Sequence, residues 1–189
     1  MKTVNNNINE IIINKSKFIT YTYHIDNVDE VSIKLDELKK EYKDATHICY
    51  AYIINSQEKC ADDGEPSGTA GMPILNILQK EQLQNVLCVV IRYFGGIKLG
   101  AGGLVRAYAR ACKESLLIKE LTKGYEIKVL FNYDEVKKID YLLKNSSILS
   151  KTYDIKTCYI FKISEDDYNL IKDDLNNICE TEYVKEIYI

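Results

Sequence analysis

The apolar positions of this chain follow two periods. Ser16–Ile25 is dense in β-branched and aromatic residues and predicts a strand. Val28, Val31, Leu35, Leu38 and Tyr42 then recur at helical spacing, and Asn27 with Glu30 supplies a capping-box-like start. A helix over Val28–Tyr42 follows. His47–Ile54 predicts a second strand, and Pro73–Gln82 a short helix with proline near its first turn. Val86–Ile91 is a continuous apolar run of strand length, as a buried strand requires. Leu104–Ile118, rich in Ala and Leu, predicts another helix.

After Gly124 the pattern quickens. Tyr125, Ile127, Val129 and Phe131 alternate with Glu126, Lys128 and Leu130, the signature of a half-buried strand. Asp134 is placed to cap a helix carrying Val136, Ile139, Leu142 and Leu143. Ile148–Tyr153 and Lys156–Ile163 predict two strands, Ser164 caps a last helix, and Glu182–Ile189 closes as a strand. The order βαββαβ is the ferredoxin-like arrangement. The change of pattern near Leu121–Gly124 places a domain boundary there, giving domains 1–121 and 122–189 and an α+β class.

Composition narrows the picture. The chain has 189 residues, 46% of them apolar and 28% charged, enough to bury a core while keeping a polar surface. No apolar run approaches the roughly 20 residues needed to cross a bilayer, and Met1–Ile13 is asparagine-rich without a small-residue cleavage site, unlike a signal peptide. Cys49, Cys60, Cys88, Cys112, Cys158 and Cys179 form no CxxC pair and read as reduced, small core residues, so a cytoplasmic, non-membrane protein is expected.

Charge is unevenly spread. No acidic residue lies between Glu81 and Glu114, whereas Arg92, Lys98, Arg106, Arg110 and Lys113 all do. The net charge is −3, so removing these five positive charges leaves −8 for the rest of the chain. Binding follows the local field more than the total.

Eight of the nine glycines and both prolines fall between Gly64 and Gly103. In Arg92-Tyr-Phe-Gly-Gly-Ile-Lys-Leu-Gly-Ala-Gly-Gly-Leu-Val-Arg-Ala-Tyr108, a buried strand runs through glycines into a helix. Glycines permit close backbone approach, and a helix start offers free N–H groups and partial positive charge to an anion. Arg106, Arg110 and Lys113 share one helical face, leaving Tyr108, Ala111, Cys112 and Ser115 for the core. Neither GxxxxGK[ST] nor GxGxxG in a βαβ setting is present, and no cofactor is expected. Glycines serving only tight strand–helix packing are the alternative. The anion- or nucleic-acid-binding candidates are Arg92, Tyr93, Gly95, Gly96, Lys98, Gly100, Gly102, Gly103, Arg106 and Arg110.

Asp62-Asp-Gly-Glu-Pro-Ser-Gly-Thr-Ala-Gly71 is the second unusual segment. Its carboxylates have the oxygen chemistry to hold Mg²⁺, or they pair with Arg92 or Lys98 and pre-set the loop. The second use is favoured and no metal is expected, with His47, Asp62, Asp63, Glu65, Ser67 and Thr69 as loop-bracing or partner-binding residues. His47 and Cys49 point to one face of a strand, which raises a Cys–His nucleophile pair. No orienting acid is indicated, so no catalytic residue is assigned.

Three segments carry a family likeness: Ala45-Thr-His-Ile-Cys-Tyr-Ala-Tyr52, Asp62-Asp-Gly-Glu-Pro-Ser-Gly-Thr-Ala-Gly-Met-Pro-Ile-Leu75, and Arg92 to Tyr108 as written above. They closely resemble the IMPACT family in its bacterial YigZ-like form, over Ser16 to about Leu117. The resemblance implies an N-terminal domain of the ribosomal-protein/elongation-factor-G domain IV type and a ferredoxin-like C-terminal domain similar to domain V of that factor. It also implies a regulator of translation. The expected function is therefore binding of RNA, above all rRNA or the ribosome, with Arg92, Lys98, Arg106 and Arg110 on phosphates and Tyr93, Phe94 and Tyr108 available for stacking where exposed. Two alternatives stand beside it. One is an enzyme with a glycine-rich anion cradle and an acidic metal-binding loop, acting on a phosphorylated or peptide ligand. The other is a module docking a protein partner of the translation machinery.

Overall fold

The computed structural model describes residues 1–189, which form two compact units: Lys2–Glu120, and Leu121–Ile189 together with Met1. The first contains β1 (Lys2–Asn5), β2 (Asn7–Ile13), β3 (Ser16–His24), α1 (Asp29–Glu41), β4 (His47–Ile54), β5 (Gln57–Ala61), α2 (Gly71–Lys80), β6 (Val86–Tyr93), α3 (Gly100–Ser115) and β7 (Leu117–Glu120). An antiparallel sheet runs in the order β2-β3-β6-β4-β5, while β1 and β7 pair as a separate ribbon.

The central strand explains the layering. Along β6, Leu87, Val89 and Ile91 face one side with Val31, Leu35 and Leu38 of α1. Val86, Cys88 and Val90 face the other, against Ile74 and Leu78 of α2 and Leu104, Ala107 and Ala111 of α3. Both faces are covered, which is why the strand reads as an unbroken apolar run. Asn27 accepts from the Glu30 backbone N–H at 3.1 Å, and its own amide donates to the Glu30 carboxylate at 2.6 Å. This is the reciprocal start the spacing predicts for α1, with the return bond made to the side chain.

The largest departures from the expected boundaries are at the two ends of α3. α3 begins at Gly100, four residues before the predicted Leu104, because three glycines join its first turn. It also ends at Ser115, and Leu117–Glu120 leaves as β7 instead of prolonging the helix.

The second unit comprises β8 (Lys123–Phe131), α4 (Val136–Leu142), β9 (Ser147–Tyr153), β10 (Thr157–Ser164), α5 (Glu165–Ile178) and β11 (Glu180–Tyr188). Its strands pair antiparallel in the order β11-β8-β10-β9. Ile127, Val129, Phe131, Tyr159, Phe161 and Ile163 bury one face against Ile139 of α4 and Leu175 of α5. Ser164 caps α5, accepting from Asp167 N–H at 3.1 Å. Asp134 does not cap α4; it lies in a 3₁₀ turn, Tyr133–Glu135, that leads into the helix without a side-chain cap. No helix is long and apolar enough to cross a membrane.

Candidate functional site

Asp62 organises the acidic loop. Two consecutive turns follow it, closed by Glu65 N–H to Asp62 O at 3.0 Å and Thr69 N–H to Pro66 O at 3.0 Å. The Asp62 carboxylate reaches back across them: Oδ2 accepts from Gly68 N–H at 2.8 Å, and Oδ1 from Ala70 and Gly71 N–H at 3.1 and 2.8 Å. Ala70 and Gly71 open α2, so this carboxylate supplies from a distance the cap that α2 lacks locally. Burial pushes the Asp62 carboxyl up, but the three N–H donors outweigh it and hold the group below its usual range.

The other two carboxylates have different partners. Asp63 Oδ2 accepts from Ile48 N–H at 2.6 Å, and the Asp63 carbonyl lies 2.7 Å from His47 Nδ1. Glu65 is buried; its Oε1 accepts from Arg92 Nη1 at 2.5 Å and from the Tyr108 hydroxyl at 2.9 Å. Three carboxylates that diverge in this way present no shared oxygen set for a cation. Thr69 is buried with its hydroxyl on Pro66 O at 2.6 Å, and Ser67 is exposed.

Arg92 differs from the phosphate-contacting cation expected from the sequence. It is 5% exposed, sandwiched near the Phe18 and Phe94 rings, and its Nη2 donates to Ser16 Oγ at 3.3 Å. A cation held this way positions the loop and cannot swing to a phosphate without abandoning Glu65. Only its Nε–H finds no partner. Tyr108 is fully buried and Tyr93 belongs to the α1 side of the sheet, with its hydroxyl on Asp44 at 2.9 Å. Neither can stack on a ligand at the basic face, whereas Phe94 is 46% exposed.

Cys49 is buried beside the same network, 3.0 Å from Asp62 O and 3.4 Å from the Tyr108 oxygen. Burial pushes its thiol up to about 12, which disfavours a thiolate nucleophile there.

The glycine loop is built for close packing and for an open helix start. A Cβ on Gly95 would fall 2.0 Å from the Lys15 carbonyl, and Gly95 N–H donates to Ser16 Oγ at 3.2 Å. Gly100 opens α3 with φ +69°, and no side chain caps the turn that follows. Gly96 and Gly102 are exposed, and Gly103 packs beside Leu99. Along α3, Tyr108, Ala111, Cys112 and Ser115 are buried while Arg106, Arg110 and Lys113 are exposed, as their spacing predicts. Arg110 bonds Glu114 at 2.7 Å, both partners in solvent; Lys98, Arg106 and Lys113 make no ion pair.

A cleft of about 370 Å³ lies between the acidic loop, the start of β4 and the glycine loop. His47, Glu65, Arg92, Phe94, Lys98 and Leu104 line it. The structure thus joins His47, the acidic loop and Lys98 at one opening, leaves Arg106 and Arg110 on the outer helix face, and sets Tyr93 apart. Ser16 and Thr46 were missed: Thr46 Oγ1 accepts from Phe94 N–H at 3.0 Å, as Ser16 does from Gly95. No local pattern marks either, since both act across strand pairs.

The comparisons with known proteins agree with the motifs. The Impact N-terminal domain model matches residues 14–116. The IMPACT family member YvyE of Bacillus subtilis is 40% identical over 148 residues, covering 75% of this chain and 68% of its own. The IMPACT family member YigZ of Escherichia coli is 39% identical over 109 residues, 55% of this chain and 53% of its own. A crystal structure of a hypothetical protein superposes with a TM-score of 0.64 at 26% identity, covering 97% of both chains. With the acidic turn, the glycine loop and the α3 register all in place, this chain belongs to the IMPACT family.

Proposed function

We propose that this protein binds ribosomal RNA through the Gly95–Gly103 loop and the outer face of α3, and regulates translation by doing so. The observation that carries the reading is the set Lys98, Arg106 and Lys113. All three are exposed, none has a carboxylate partner, and they run from the uncapped start of α3, beside Lys98, along its outer face to Lys113 in its last turn, in a stretch without acidic residues. Unpaired cations release counterions from a phosphate backbone on binding, which is the main sequence-independent source of affinity. Arg110 adds a fourth, since a solvent-exposed pair such as Arg110–Glu114 yields readily to a phosphate.

In this reading residues 1–121 form a domain of the ribosomal-protein/elongation-factor-G domain IV type, and residues 122–189 a ferredoxin-like domain. The βαββαβ order and the strand order β11-β8-β10-β9 support the second assignment. The regulatory role rests on the family resemblance, and a protein partner of the translation machinery is compatible with the same surface.

Co-sedimentation with ribosomes across a salt series tests the proposal. Retention at low salt that falls steeply as salt rises is the expected result. A chain left wholly in the supernatant even at low salt would refute it.

A further inference from the structure

We infer that the cleft above the Glu65–Arg92 pair receives one unstacked base of a single-stranded RNA, whose flanking phosphate rests on Lys98 at the rim. This rests on the RNA-binding reading and adds a base-recognition step to it. The first ground is where the charge lies. The buried floor carries Glu65 and Arg92 paired at 2.5 Å, so their charges cancel, while the free positive charge stands at the rim on Lys98 beside the uncapped start of α3. A neutral floor below a cationic rim suits a ligand that is neutral and flat inside and anionic outside. A bare phosphate would leave the apolar walls, Phe94 and Leu104, without a partner.

Size and polar chemistry point the same way. The volume of about 370 Å³ falls within the roughly 300–1,000 Å³ range of small-molecule pockets, and Phe94 at the mouth is 46% exposed. Two floor groups are unmet. Arg92 Nε–H has no partner although the residue is 95% buried, and Glu65 Oε2 has only His47 Nε2, at 3.9 Å. The Arg92 Nε–H is closed off within the floor, so Glu65 Oε2 is the acceptor left for the edge of a base, and unpaired bases are read by such edge bonds plus an aromatic platform.

The test uses the full chain and fluorescence anisotropy with two labelled RNA pentamers of equal phosphate number, one normal and one abasic. The normal pentamer is expected to bind about tenfold or more tightly, the scale of one stacked base. Phe94→Ala brings its affinity down to the abasic level with the salt slope unchanged, and Phe94→Leu, which keeps the apolar packing, does the same. Lys98→Gln weakens both pentamers alike and lowers the salt slope by about one. Equal affinity for both pentamers, with Phe94→Leu silent and Arg106→Glu plus Arg110→Glu abolishing both, overturns the base-binding cleft and leaves the phosphate reading standing. Binding of neither pentamer at low salt overturns both.

Discussion

Glu65 Oε1 lies 2.5 Å from Arg92 Nη1 with both side chains nearly closed to solvent, 3% and 6% exposed. An ion pair taken so fully out of water is worth most to the fold as a unit, because either charge alone would be stranded. Glu65→Ala is expected to destabilise the first unit by about 3–5 kcal/mol, whereas Glu65→Leu combined with Arg92→Met recovers most of that loss. Chemical denaturation of Glu65→Leu, Arg92→Met and the double variant measures the coupling. Losses that simply add would show that the pair acts as two independent groups.

Asp62 gives a second handle. Its three N–H bonds stabilise the loop and the start of α2, and Asp62→Ala is expected to cost about 2–3 kcal/mol. Hydrogen exchange should quicken first at Gly68, Ala70 and Gly71. The pH sign follows from the depressed folded value. The contribution is complete above the ordinary 3.8 and fades as pH falls through the lower folded value. Asp62→Asn should therefore flatten that part of the acid-unfolding profile, and an unaltered profile would contradict the bonding described.

Two glycines of the same loop should respond in opposite directions. Gly95→Ala forces a Cβ to 2.0 Å from the Lys15 carbonyl, so backbone must move, and a loss at or above the usual 1–3 kcal/mol of overpacking, about 3 kcal/mol, is expected. Gly102 sits in helix with only the end of Arg106 at 3.5 Å, so Gly102→Ala should stabilise α3 by about 0.5–1 kcal/mol. Melting curves of both variants decide it.

Thiol chemistry checks the site from inside. All six cysteines are free, and Cys49, Cys88, Cys112 and Cys179 are buried. With its thiol pushed up to about 12, Cys49 should resist alkylation at pH 8 in the native state, while the partly exposed Cys60 and Cys158 are modified first. Rapid native labelling of Cys49, read by mass spectrometry, would mean that the Asp62–Tyr108 network opens readily.

In the proposed RNA interface, the face of α3 supplies the phosphate contacts. Arg106→Glu plus Arg110→Glu should reduce the slope of log affinity against log salt by about two and leave the melting temperature nearly unchanged. An unchanged slope would remove these two residues from the interface.

Long periodic elements were legible from residues alone: the Val31–Leu35–Leu38 stripe, the two-sided run of β6 and the division of α3 into Tyr108–Ala111–Cys112 and Arg106–Arg110–Lys113 faces. Two hairpins were not. Asn14-Lys15 joins β2 to β3 and Asn55-Ser56 joins β4 to β5, all four residues having positive φ without a glycine among them. Their turns therefore lack the Asn-Gly signal, and the strands they introduce are edge strands, polar in Gln57–Ala61 and with isoleucines on both faces in Asn7–Ile13. The role of Arg92 was hidden for another reason: a positive charge beside glycines reads as a ligand contact until the fold brings up Glu65 and buries both.

Ser16, Glu65, Arg92 and Tyr108 come from four separate stretches, with hydrogen bonds spanning 76 positions from Ser16 to Arg92 and 43 from Glu65 to Tyr108. No single hairpin or helix contains even half of this cluster. Contacts of such long range close only when the chain between them is already arranged. A nascent or partly unfolded chain thus carries every charge of the binding surface but has no floor to its cleft. Under the proposed function, competence for a ligand arises in the same step that completes the first unit, so binding would report the finished fold.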